Sequence, residues 1–260
     1  MNFLDMILLG LVQGLTEFFP VSSSGHLLIG KTLLSIKENP ILLDIILHLG
    51  TLLSIIVFWR KDLLLDFRQI LSGENTIYLK LIIGCIPAGI IGLFFSDQIE
   101  NYFFNDIGDT IPFFLIVNYA VMSVIVFITK YFHNNEKLNF TYYHAFLIGC
   151  AQCFALMPGI SRSGVTIVAA LLLGYTFKKS MKFSFYLAIP TIFFGSLLKI
   201  RDINSLDLLT IPLVGFIFSF IFGYFILTLL DKVILQKKYW YFSVYCLIIT
   251  VILVVYKYGY

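Results

Sequence analysis

Six stretches of roughly twenty mostly apolar residues run through this chain, at about 41–59, 77–95, 112–131, 183–200, 209–231 and 240–258. Each is long enough to cross the hydrocarbon core of a bilayer as a helix. In lipid the backbone must satisfy its own N–H and C=O groups, so six such runs predict an all-α integral membrane protein. The composition agrees, with 59% hydrophobic and 13% charged residues, against about 45–50% and about 25% in soluble domains. No Pro-, Gly- or Ser-rich or strongly charged linker divides the chain, which predicts one polytopic domain over residues 1–260.

Two further regions, 3–35 and 141–174, are apolar but broken at their centres by F-F-P-V-S-S-S-G-H (18–26) and M-P-G-I-S-R-S-G-V-T (157–166). Each half is too short to span. Pro, Gly and several hydroxyl residues together make a loop more readily than a kink, so each region is expected to enter the membrane and return as a helical hairpin. Such a loop survives at membrane depth only inside protein or beside a wet cavity. This gives about ten helices, six of them full spans.

The charges fit that topology. Arg60, Lys61 and Arg68, then Lys130 and Lys137, then Lys178, Lys179 and Lys182, then Lys232, Lys237 and Lys238 fall on one side if both hairpins return to the face they entered. The alternate connections are acidic (Asp97, Glu100, Asp106, Asp109) or balanced (Arg201, Asp202, Asp207). The positive-inside rule then places both termini outside the cytoplasm. Gly10, Gln13, Ser22, Ser24 and Gly25 recur as Gly149, Gln152, Ser161, Ser163 and Gly164 at a constant offset of 139. Each copy, about 1–131 and 141–260, is a hairpin followed by three spans. An odd number of crossings predicts inverted-topology repeats with a shared site where the two loops meet.

The small net charge of +3 is spread in short clusters, which argues against nucleic acid as a partner. Cys85, Cys150, Cys153 and Cys246 all lie in apolar stretches. The Cys150/Cys153 pair has no second pair or nearby His, so packed thiols are expected. The first apolar run has no basic region before it and contains Asp5, Gln13 and Glu17, unlike a cleaved signal peptide.

The chemistry concentrates in the breaks. Glu17 follows Gln13 by four residues on one helix face. An acid inside an apolar segment is costly, and the default reading is functional, as metal ligand or general acid or base. Ser22, Ser23, Ser24 and His26 crowd five positions after Pro20. One serine is explained as a helix cap, and the others or the imidazole are candidate nucleophiles or proton carriers. In the second break Arg162 lies between Ser161 and Ser163, with Thr166 one turn on. A guanidinium at membrane depth needs an anion, and its fork matches phosphate oxygens. An internal Arg162–Glu17 ion pair is the plainer alternative, but the flanking glycine and hydroxyls favour an oxyanion approached by backbone. Together the breaks describe a diphosphate pocket. His48 is equally a core histidine or a pocket wall, and His133 and His144 receive no role.

In these loops the sequence resembles the bacterial undecaprenyl-diphosphate phosphatase, or bacitracin-resistance, family. Its [E/Q]-x-x-x-E motif leading into P-V-S-S-[ST]-G-H reads Q-G-L-T-E-F-F-P-V-S-S-S-G-H here (13–26), and its P-G-x-S-R-S-x-x-T reads P-G-I-S-R-S-G-V-T (158–166). The resemblance extends through D-I-I-L-H-L-G-T (44–51) and F-S-F-Y-L-A-I-P (183–190). It implies hydrolysis of undecaprenyl diphosphate to the monophosphate and inorganic phosphate, recycling the lipid carrier of cell-wall synthesis. It also implies a divalent cation (Mg2+ or Ca2+), a homodimer, and a site opening to the outer face of the bacterial cytoplasmic membrane. Glu17, Ser23, His26 and Arg162 match the catalytic set, with Ser22, Ser161, Ser163 and Thr166 as phosphate contacts. Gln13 stands where many members have glutamate. It can coordinate a metal weakly beside Glu17 but cannot act as a base. Serine, histidine or water remain open as nucleophile. The acid-phosphatase type of lipid phosphatase is excluded, because Val168 holds the place of its histidine nucleophile. A transporter or flippase of polyprenyl phosphate lipids is the alternative, since inverted repeats with broken helices also build transporters.

Overall fold

A computed structural model describes residues 2–36, 40–71, 77–104, 112–132, 140–200, 210–235 and 238–259. Of the loop residues named above, Asp106, Asp109, His133, Lys137, Arg201, Asp202, Asp207 and Lys237 lie outside the described residues, as do the side chains of Asp97, Glu100 and Lys232.

Every regular element described is helical, eleven α-helices in all. The first broken region forms α1 (Phe3–Thr16) and α2 (Ser23–Leu33), and the second forms α7 (Tyr142–Gln152) and α8 (Arg162–Leu172). At about 1.5 Å per residue the 14-residue α1 reaches about 21 Å, short of the roughly 30 Å hydrocarbon core. Both regions fold back on themselves. Gly30 of α2 sits so close to Leu9 of α1 that an added Cβ would lie 2.9 Å from the leucine side chain. In the second, His144 at the start of α7 bonds through Nδ1 to the Tyr175 hydroxyl just beyond α8, 2.5 Å away.

The six long apolar helices are α3 (Pro40–Phe58), α5 (Ile77–Phe104), α6 (Phe113–Phe127, extended by a 3-10 turn to Tyr131), α9 (Phe177–Ile200), α10 (Thr210–Leu235) and α11 (Tyr241–Tyr258). α9 begins six residues earlier than the apolar pattern indicates. Hydropathy starts only after Lys182, but a helix tolerates lysines whose stems lie along apolar surface. Lys182 does so over the rings of Trp59 and Tyr186, with its ammonium 2.9 Å from Asp62.

One helix was hidden from the hydropathy pattern. α4 (Arg60–Leu71) is a 12-residue amphipathic helix in which Leu64, Leu65 and Phe67 are more than half exposed, the pattern of a helix lying in a membrane interface. It raises the number of helices from ten to eleven. Charge placement hid it, because Arg60, Lys61, Asp62, Asp66 and Arg68 make the segment read as a loop.

The helix pairs are matched across the two halves. α1 lies against α10 and α7 against α5, while α3 meets α10 as α9 meets α5. α3 also meets α9, and α6 meets α11. Glycines set the closeness: a Cβ on Gly10 would lie 2.6 Å from the Gly215 carbonyl, and one on Gly149 would collide with that of Gly84. The main core joins both breaks to α6 and α11 through Phe18, Val21, Tyr119, Met122, Ile160, Val165 and Cys246, all buried.

Candidate active site

Two serines start the returning arms in the same way. Ser22 accepts the Gly25 N–H (3.2 Å) and Ser161 accepts the Gly164 N–H (3.2 Å), so α2 and α8 carry equivalent N-caps. Their N-termini, each with backbone N–H groups lacking an intrahelical acceptor and a positive dipole end, are brought together by the breaks. Ser22 has φ 64°, rare for a residue with a side chain, and its hydroxyl also accepts the Gly159 N–H at 3.1 Å. Gly159 itself sits at φ 95°, where a Cβ would lie 2.7 Å from Asn118. Asn118 donates to the Pro158 carbonyl at 2.6 Å and fixes the second break. The two breaks are sewn together by Ser161 and Ser163, whose hydroxyls both donate to the Phe19 carbonyl (3.2 and 3.1 Å).

Glu17, at the end of α1, is the centre of the knot, its side chain 5% exposed. Arg162 Nη2 donates to its Oε1 at 2.6 Å. Its Oε2 accepts from Ser23 Oγ at 2.5 Å and from Gln13 Nε2 at 3.1 Å, and His48 Nε2 stands 3.8 Å away. Arg162 Nη1 donates to the Ser184 carbonyl of α9 at 3.3 Å, which aims the guanidinium across the break. The Arg162–Glu17 pair ranked below phosphate in the sequence is therefore formed. A guanidinium has five N–H donors, and these two bonds leave others for an oxyanion.

A cavity of about 340 Å³ opens from this cluster. Glu17, Ser23, Ser24, His48, Ser161 and Arg162 line its polar end, and Lys31, Asp44 and Lys199 line the other. Lys31 bonds both carboxylate oxygens of Asp44 at 2.9 Å. Between them the wall is largely apolar, with Leu27, Leu28, Ile45 and Ile192.

The other residues singled out in the sequence are placed differently. Ser22 and Ser163 are buried and spent on the links between the breaks. Thr166 is fully buried, donating to the Arg162 carbonyl at 2.8 Å and bonding the Ser184 hydroxyl at 2.7 Å, so it supports Arg162 from behind. His26 does not line the cavity. Its Nδ1 lies 2.7 Å from both the Ser22 carbonyl and the Tyr119 hydroxyl, and its Nε2 lies 2.8 Å from the Tyr245 hydroxyl, with the Tyr245 ring stacked on it. His48 is a pocket wall, held by Nδ1 to the Asp44 carbonyl at 2.7 Å. Sequence reasoning passed over Thr51, which accepts from Gln13 at 3.3 Å, and Asn118. Asn118 was findable as a lone amide inside an apolar run; Thr51 was not, since its contact spans 38 residues.

A divalent cation prefers hard oxygen ligands. Glu17 and Gln13 supply a carboxylate and an amide oxygen, and Gln13 Oε1 is buried with no hydrogen-bond partner among the described residues, a state that costs free energy until a ligand meets it. No group of three His, Cys, Asp or Glu among the described residues could hold an ion alone. The donors therefore fit a hard cation only if most of its ligands come from outside the protein.

Fold and site define a multi-pass membrane protein with a cavity, lined by Glu17 and Arg162, formed where two broken helices meet. The family model described as "Bacitracin resistance protein BacA" matches residues 6–252. Among curated proteins, the chain is similar to "Undecaprenyl-diphosphatase" of Halothermothrix orenii, 36% identical over 98% of both chains. It is 35% identical to the protein of that name from Christiangramia forsetii over 100% of both, and 38% identical to that from Thermosipho africanus over 96% of this chain and 98% of the other. The chain belongs to the BacA family.

Proposed function

We propose that this protein is an undecaprenyl-diphosphatase that cleaves the terminal phosphate from the lipid diphosphate in the cavity between the two breaks. The observation that carries the mechanism is the contact of Ser23 Oγ with Glu17 Oε2 at 2.5 Å, beside an arginine also held by that carboxylate. This is a nucleophile poised against its base. Arg162 binds the terminal phosphate through its remaining N–H groups, and the N-termini of α2 and α8 add dipoles of the right sign. As Arg162 turns to phosphate, Glu17 loses a neutralising partner and becomes a better proton acceptor. Glu17 takes the Ser23 proton, the serine oxygen bonds to the terminal phosphorus, and the bond from that phosphorus to the bridging oxygen breaks. Undecaprenyl phosphate leaves, and water then cleaves the phosphoserine to free phosphate.

Glu17 and Gln13 are the residues to hold a divalent cation, Mg2+ or Ca2+, which when bound neutralises charge on the diphosphate oxygens. His26, clamped by two tyrosines, positions α2 in this reading and takes no proton.

The cavity opens to the outer face of the membrane. Its mouth residues Lys31, Asp44 and Lys199 lie toward the ends of helices opposite Arg60, Lys61, Lys178, Lys179 and Lys182, and the Lys182–Asp62 contact holds these last basic segments on one face. The exchange of helix pairs between halves supports inverted repeats. Rapid quenching with substrate labelled in its terminal phosphate tests the mechanism. Label bound to Ser23 in acid is the expected result, and a burst-free reaction with full activity in Ser23→Ala would overturn it.

A further inference from the structure

The undecaprenyl chain is far too long for a 340 Å³ cavity, so it must leave while the diphosphate stays. α5 and α9 show where. Lower down these helices touch: a Cβ on Gly84 would lie 3.0 Å from Leu187, and Cys85 Sγ lies 3.5 Å from Thr191 Oγ1. Two turns further along α5 and one along α9, Gly92 and Gly195 both line the cavity, and a Cβ on either would meet nothing within 4 Å. Beyond the level at which the helices touch, two absent side chains thus leave open space at the cavity wall. Outside the gap the flanking residues are apolar and exposed: Leu93 and Phe94 on α5, Phe194 and Leu197 on α9.

Both helices begin at the basic face, where Ile77 and Phe177 start their spans. At about 1.5 Å per residue Gly92 lies about 22 Å along α5 and Gly195 about 27 Å along α9. They share a depth in the leaflet away from that face, the one the cavity serves.

We propose that the polyprenyl tail passes sideways from the cavity into the bilayer through a slot between α5 and α9 rimmed by Gly92 and Gly195, which makes these glycines determinants of chain-length specificity. This rests on the phosphatase reading given above. The occupant follows from continuity, since the slot belongs to the cavity that holds Arg162 and Ser23 and ends among lipid-facing side chains.

The test uses Gly195→Leu, Gly92→Leu and their double variant, which fold readily because the added side chains enter open space and leucine favours helix. Phosphate release is measured in detergent with undecaprenyl diphosphate and with isopentenyl diphosphate, whose five carbons end inside the cavity. Gly89→Leu is the control, equally open but not lining the cavity. The expected result is a KM for the long substrate raised roughly tenfold, the low end of what one misfit group costs in a shaped pocket, with kcat kept and the short substrate unaffected. Unchanged KM for the long substrate, or equal losses on both, would overturn the slot. Failure of wild type to release phosphate from either would instead count against the phosphatase reading.

Discussion

Arg162→Met removes the cation from a buried ion pair without changing side-chain bulk greatly. Glu17, 5% exposed, then stays in the protein facing only Ser23, Gln13 and His48. Breaking one side of a buried pair costs about 3–5 kcal/mol, and the surviving donors place this case near about 3. For a chain of this size each kcal/mol lowers Tm by about 2–4 °C, so a drop of about 6–12 °C is expected. Glu17→Gln combined with Arg162→Met removes the stranded charge, and a neutral pair of similar volume restores stability to within about 1 kcal/mol of wild type. A thermal melt followed by a thiol-reactive dye suits this protein, because Cys246 is buried and is exposed on unfolding. Phosphate release falls in both variants, by about a hundredfold or more, as for other lost transition-state donors. The reasoning is refuted if the single variant melts with wild type, or if the double variant melts as low as the single.

Ser23→Ala is expected to lower kcat by about a thousandfold or more, with only a modest drop in the melt of roughly a few degrees from the one lost hydrogen bond to Glu17. Treatment with a chelator should abolish phosphate release, and either Mg2+ or Ca2+ should restore it; activity that survives thorough chelation removes the cation from the reaction. Gly149→Ala should destabilise by about 1–3 kcal/mol through collision with the Gly84 carbonyl, whereas Gly89→Ala, with open space, should gain up to about 1 kcal/mol of helix propensity; equal melts would show that α5 and α7 are not in close contact.

The spans and both breaks were legible because lipid imposes a length rule, and polar residues inside apolar runs violate it visibly. Glu17, Ser23 and Arg162 stand out for the same reason, and the structure brings them within hydrogen-bond reach. Local sequence could not show which hydroxyls face the cavity and which tie the loops together. Ser163 and Thr166 look as available as Ser23 until Phe19 and Ser184 are seen to occupy them. His26 is a similar case, since its partners Tyr119 and Tyr245 lie 93 and 219 residues away. α4 was lost because mean hydropathy averages over the two unlike faces that define an interfacial helix.

The Phe19 carbonyl waits for hydroxyls that lie 142 and 144 residues later in the chain. At about 5–20 residues per second, a ribosome delivers them on the order of ten seconds after the first hairpin has left it. Until then that hairpin holds an acid in an apolar setting with neither its arginine nor its loop partners. Newly made protein therefore spends a defined interval as a target for quality-control proteases, and the second half of the chain closes that interval.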